Sequence, residues 1–264
     1  MPQQLTIDSY VRLLFPQSKI AKGKRHRTQI DKAIELSKVD PQLARDMVHS
    51  GSGKKDRIKI SQKSGISAVS LKPSQTTMRA EHTTGIAINM LIANKVGGNI
   101  GAIISKDGHI MDGHHRWAGS ILAGGEQATV GGWVAQMRGK KLIPVLNIIT
   151  KGYFGRRNGN KGTGDISKLV PSEIKKILER YENEGRSGEY GFTPQEFKKV
   201  LIDRFGSVDN GIDIISNNAK LINKKVPSWA PDRENMPVIQ PNEVPEAAEL
   251  LNKGKVDWAE PFRK

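Results

Sequence analysis

Between Lys106 and Gly124 the chain reads KDGHIMDGHHRWAGSILAG and holds three of its six histidines, two aspartates, an arginine and a tryptophan. His109, His114 and His115, with Asp112 close by, are residue types that ligate metals. Their spacing argues against that use. Adjacent histidines on a helix point about 100° apart, neither has a helical partner four residues on, and His-Glu-x-x-His is absent. No metal site is assigned. Phosphate chemistry suits the same residues better. A strand running through Asp-Gly into a helix leaves the first helical amides open, and that end attracts anions. Gly113 lets backbone approach a ligand without a Cβ in the way, and His114, His115 and Arg116 place donors at the same spot. Asp112 has two readings. Aspartate is a favoured helix N-cap. A carboxylate there can also act as a base toward a hydroxyl, or hold magnesium beside a phosphate. Trp117 reads as core.

These residues need elements to place them. GAIIS and HIM, joined by Asp107-Gly108, predict a hairpin. Asp112 is expected to open a helix with Trp117, Ala118, Ile121 and Leu122 as its apolar stripe. Upstream, ISAVSLKPSQ reads as a short strand ended by Pro73, and TTMRAEHTTGIAINMLIAN as a largely buried helix. Downstream, KKLIPVLNIIT (140–150) reads as a further strand. PSEIKKILERYENEG is an amphipathic helix with Ile174, Ile177, Leu178 and Tyr181 in register. TPQEFKKVLIDRFG carries a capping box, Thr193 with Glu196. Five prolines between 226 and 245 predict an irregular strap anchored by Trp229. Arg233 lies in it and could reach a substrate from there, but it is not assigned to the site.

The chain has 264 residues and a net charge of +15, with a mean hydropathy of −0.49 and a pI near 9.9. Such an excess favours polyanions, nucleic acid or nucleotide phosphates above all. The first 65 residues hold 14 basic and 6 acidic side chains, so the basic character belongs mainly to the N-terminal region. In it, KIAKGKRHR precedes a helix capped by Thr28 with Ile30, Ala33 and Ile34 on one face, and a second helix follows Asp40-Pro41. No glycine-bearing tight turn separates the two, which argues against a helix-turn-helix. Residues 51–65 read as a flexible basic linker. GRRNGNKGTGD (155–165) has the glycines and cations of a phosphate loop without its pattern. With no cysteine there are no disulfides or thiolate chemistry. No apolar run is long enough to span a bilayer, and the expectation is a soluble cytoplasmic protein with no membrane partner.

The stretch GAIISKDGHIMDGHHRWAGSILAGG (101–125) resembles the signature of the ParB/sulfiredoxin superfamily. Partition ParB proteins carry a Gly-Glu-Arg/His-Arg box there and sulfiredoxins a Gly-Cys-His-Arg box. The Asp-Gly-His-His-Arg version of the free-serine kinases is similar to residues 112–116. AVSLKPSQ and LIPVLNII stand where the family's first and last core strands would be, so the resemblance spans residues 66–150. It implies that Gly113, His114, His115 and Arg116 bind nucleotide phosphates, and that Asp112 acts beside the transferred phosphoryl group, with His115 as a further catalytic residue and Mg2+ as counter-ion. ATP or ADP is the implied nucleotide, with CTP as in partition ParB the other choice. It further implies a glutamate from upstream, for which Glu81 is the acidic residue between 66 and 106, and places Lys72, Ser74 and Gln75 near the ligand. His82 is read as packing. The missing cysteine removes sulfiredoxin chemistry.

The expected fold is α/β (α+β), a ParB/sulfiredoxin-like core at 66–150 between a basic helical region with its linker at 1–65 and a helical region with the strap at 151–264. The expected activity is phosphotransfer from a nucleotide to a hydroxyl, which the N-terminal charge suggests could lie on a nucleic acid. The alternative is a ParB-like DNA-binding protein that uses nucleotide only as a switch or not at all. A two-metal nuclease is disfavoured because no carboxylate cluster is present.

Overall fold

Apolar side chains alternate along the central strands, and the two sets they form face different helices. A computed structural model describes residues 29–36, 40–51, 53–155, 164–184 and 190–262. Helices α1 (29–36) and α2 (Pro41–Ser50) lead into strand β1 (Ile60–Ser67). The two-residue β2 (Lys72–Pro73), helix α3 (Ala80–Ile92), the hairpin β3 (Gly98–Ser105) and β4 (His109–Asp112), helix α4 (His114–Gly124) and strand β5 (Thr129–Ala135) follow. Helices α5 (Gly139–Gly152), α6 (Pro171–Glu184), α7 (Pro194–Phe205) and α8 (Val208–Asn218) precede the strap, and α9 (Val244–Lys253) comes after it.

The strands form one mixed sheet in the order β1-β5-β3-β4-β2. β3 and β5 run parallel with Ile103 opposite Trp133, while β1–β5 and β3–β4 are antiparallel. Ile100, Ala102, Ile104, Ile110, Val130 and Val134 face one core, shared with α3, α4, α6, α7 and α8. Ile103, Met111 and Ala135 face the other, shared with α1, α2, α5 and α9. Period-two alternation therefore feeds two cores, and the mixed α/β architecture is a sheet covered on both faces.

Several elements follow the sequence reading. The hairpin turns at Asp107-Gly108, with Gly108 donating to the Ser105 carbonyl. Asp40 caps α2 and Thr193–Glu196 caps α7 as expected. Up to residue 243 the strap crosses the surface with short turns at most and has Trp229 packed beneath it, whereas its last proline, Pro245, sits in the first turn of α9. Thr28, the KIAKGKRHR run and most of the glycine-rich loop lie outside the described residues.

Other elements correct it. The expected linker contains β1, an edge strand with mostly exposed side chains that pairs with β5 across residue 65. The expected strand at 140–150 is helix α5. Its apolar residues are nearly continuous, which erases the period, and Pro144 sits inside the helix. Strand β5 was not anticipated because Gly131 and Gly132 interrupt its pattern. Helices α8 and α9 were also not anticipated.

Far segments pin the start of β1. The Asn252 side chain on α9 accepts from the Ile60 amide (3.0 Å) and donates to the Ile60 carbonyl (2.7 Å), as a neighbouring strand would. Trp258 is fully buried and donates to the Asp56 carbonyl (2.9 Å). Among the described residues no helix is long and apolar enough to cross a membrane.

Trp117 ties α4 to the short turn that follows β1: it is buried, and its indole N–H donates to the Ala68 carbonyl at 2.8 Å. Trp117→Phe removes that donor and part of the ring, and is expected to lower stability by about 2 kcal/mol. Urea unfolding checks this, and an unchanged midpoint would show that α4 is held elsewhere.

Candidate functional site

The chain leaves β4 and enters α4 through a single residue. Gly113 is the N-cap, with φ +89°, a left-handed conformation that a Cβ would strain. A Cβ there would also stand 3.3 Å from Ala102 and 3.2 Å from the Arg116 guanidinium. The residue is glycine for conformation and for space. Asp112 is correspondingly not the helix cap. It ends β4, and no side chain caps α4. The expected N-cap role fails because its carboxylate turns to Arg116, whose Nη2 donates to Oδ2 at 3.1 Å.

Arg116 is fixed a second time, since its Nε donates to the Ile100 carbonyl (2.8 Å) on β3. The Asp112 side chain keeps about a quarter of its exposure. Burial raises its carboxyl above the usual aspartate range, against the opposing pull of Arg116, Arg233 and the Gly113 amide.

The two histidines behave as struts. His114 is buried, and its Nε2 accepts from the Ser74 amide at 3.1 Å. The Ser74 hydroxyl stands 3.3 Å from the same nitrogen and donates to the Ile110 carbonyl (2.6 Å). His115 Nε2 accepts from the Arg79 amide at 3.1 Å. An Nε2 that accepts leaves the proton on Nδ1, so both rings are neutral imidazoles. Burial, then neighbouring cationic and histidine groups, drives His114 well below 6.5 and His115 down to about 3. Their rings are therefore not cations at neutral pH, and they tie the start of α4 to residues 74–79.

The other residues singled out from sequence divide. Gln75 is buried, donates to the Thr77 carbonyl (3.0 Å) and accepts from Arg233 Nη1 (3.1 Å). Lys72 is exposed in β2, its amide bonded to Gly108. Glu81, in the first turn of α3, forms an ion pair with Arg180 of α6 at 2.9 Å. His82 packs edge-on against His115, ring centres 4.9 Å apart. Among the described residues no three His, Asp or Glu side chains converge as metal ligands.

Arg233 is the strap residue that the sequence reading names but does not assign to the site. It reaches the corner from the strap, and its charge acts on Asp112, His114 and His115. A cavity of about 960 Å³ lies elsewhere, between α1, α5 and the strap; it takes in Trp229 but none of residues 112–116.

No family model, no curated protein and no solved structure matches this chain. The functional reading therefore stands on the corner itself. It holds two arginines, one aspartate and two neutral histidines, at a helix start that no side chain caps.

The neutral histidines set a pH dependence. As pH falls below about 6.5, the unfolded chain takes up protons that the folded His115 refuses until about 3. The stability they contribute is complete above that window and drains away on acidification. By pH 5 the loss from His115 is expected to reach up to about 2 kcal/mol, with His114 acting in the same direction. Urea midpoints at pH 7 and pH 5 measure it, and His115→Gln should flatten the dependence. Equal wild-type midpoints at the two pH values would contradict the buried, neutral assignment.

Proposed function

We propose that the chain is a nucleotide-dependent phosphotransferase whose β4–α4 corner binds the phosphates. One observation carries this reading: Asp112, with its raised carboxyl pKa, is held against Arg116 at the uncapped start of α4. Free helical amides and a fixed guanidinium suit a phosphate chain. A carboxylate whose proton affinity is raised by burial suits a general base. Resemblance to the Asp-Gly-His-His-Arg box supports the same reading, with ATP or ADP as donor and CTP as the alternative ligand.

In the proposed step the acceptor hydroxyl oxygen attacks the terminal phosphorus. The new O–P bond forms as the bond to the bridging oxygen breaks, and the nucleotide leaves one phosphate shorter. The acceptor proton passes to Asp112. Little covalent work falls to the protein, because positioning and charge stabilisation supply most of the catalysis. Asp112 is the carboxylate that the described hydrogen bonds bring to the corner, so the residues fit a Mg2+ ion that arrives on the nucleotide and keeps most of its waters. His114 and His115 hold the corner's shape, and Glu81 is engaged by Arg180.

A second reading, a nucleic-acid-binding protein that uses nucleotide as a switch or not at all, is favoured by one observation, the excess of eight positive charges in residues 1–65. Because β1 lies partly within that region, charge should be removed by substitution rather than by truncation.

Titration calorimetry with ATP, ADP and CTP in the presence of Mg2+ tests the first reading. Arg116→Ala is expected to weaken binding at least roughly tenfold. Asp112→Asn should keep binding and lose roughly 100-fold or more in turnover. A wild type that binds none of the three nucleotides would sink the enzyme reading. Changing Lys19, Lys22, Lys24, Arg25 and Arg27 to Gln in the full chain should shallow the salt dependence of DNA or RNA binding and leave nucleotide affinity unchanged. Loss of both together would remove the division of labour between the two regions.

A further inference from the structure

We propose that Arg233, delivered by the strap, is a second arginine of the phosphate site. The strap is thereby part of that site rather than a surface wrapping. The proposal rests on the nucleotide-binding reading of the corner and adds a residue that the resemblance does not supply.

The strap is held on both sides of Arg233. Before it, the Trp229 ring packs edge-on against His109, centres 5.0 Å apart. That ring occupies space that only glycine leaves at position 139, where a Cβ would stand 2.6 Å from it. After it, the Asn235 carbonyl accepts from Asn147 Nδ2 of α5 (2.9 Å), and Met236 is buried. Between these anchors the chain makes a short turn at Arg233–Asn235, closed by the Asn235 amide on the Asp232 carbonyl (2.8 Å). A side chain on such a turn is placed, not searching.

Its partner is placed as well. Gln75 is almost fully buried and uses its amide nitrogen on Thr77, which leaves its oxygen for Arg233 Nη1 at 3.1 Å. That partner is neutral. Among the described residues Arg233 forms no ion pair with a carboxylate, and Asp112 is already bonded to Arg116. Arg233 thus adds a second guanidinium near a carboxylate that Arg116 already holds, beside two uncharged imidazoles. The corner carries more positive than negative charge, half-buried, next to amides that no side chain caps. That charge disfavours protonation of both neighbouring histidines. A phosphate group of a nucleotide would balance it, and the fixed turn would present the guanidinium without rearrangement.

The experiment compares wild type, Arg233→Ala, Arg233→Lys and Gly139→Ala, using ATP with Mg2+ as the probe. Arg233→Ala is expected to weaken ATP roughly tenfold and to lower turnover on the order of 100-fold. Arg233→Lys should recover part of the affinity, since the charge returns without the planar fork. Gly139→Ala pushes on Trp229 without touching the corner and should shift the same two quantities less. A readout independent of activity is the Asp112 carboxyl titration followed by carbon NMR. Loss of Arg233 should move it to higher pH, which a merely structural arginine elsewhere would not do. If wild type binds ATP and Arg233→Ala matches it in affinity, turnover and titration, the inference is overturned while the reading of the corner survives. If wild type binds no nucleotide, that reading falls first and this one with it.

Discussion

At Gly113 the backbone turns from strand to helix in one left-handed residue, and the neighbouring parts of the molecule are arranged to permit it. Ala102 on the adjacent strand is small enough to let the turn lie against it, and Arg116 folds back beneath. From that pivot the chain distributes its chemistry by position: Asp112 on the strand side, His114 and His115 toward residues 74–79, Arg116 toward β3, and Trp117 into the core. The helix that follows begins without a side-chain cap, so its first amides keep their capacity for an external acceptor. A residue with a Cβ at this point would displace all five side chains together.

The corner also shows how burial redistributes charge. Two rings that would each be partly protonated in water near pH 6.5 are held neutral, because they are desolvated and surrounded by arginines. They give up cationic character and serve as acceptors for backbone amides that would otherwise be unpaired. The positive charge is instead carried by guanidinium groups, which do not lose it at any accessible pH. An anion site built on arginine is insensitive to mild acid, whereas the scaffold beneath it is not.

Legibility in the sequence followed the range of the interactions. Capping boxes, the Asp107-Gly108 turn and the 174–177–178–181 stripe are local, and they were readable because their causes lie within a few residues. β1 was not: an edge strand with exposed side chains carries no alternation, and its pairing partner lies far along the chain. α5 was misread because Leu142, Ile143, Val145, Leu146, Ile148 and Ile149 are buried almost without interruption, and the helical period disappears when most of a helix is covered. At the site, the Asp-Gly-His-His-Arg run marked the corner correctly as a place. Residue types there did not disclose that the histidines are neutral, since that depends on Ser74, Arg79 and burial. Arg233 had no local signal at all; only the path of the strap brings it to Gln75.

The pinning of the start of β1 has a consequence for how the molecule is made. Asn252 completes the hydrogen bonding of Ile60, and Trp258 satisfies Asp56, across nearly two hundred residues of intervening chain. A ribosome releases the N-terminal strand long before it releases these partners. During synthesis that edge is a bare row of amides and carbonyls, available to any other extended chain. Residues 252–258 thus clasp the start of that strand. A nascent or truncated chain that ends before residue 252 would leave the Ile60 amide and carbonyl without these partners rather than merely lack a helix.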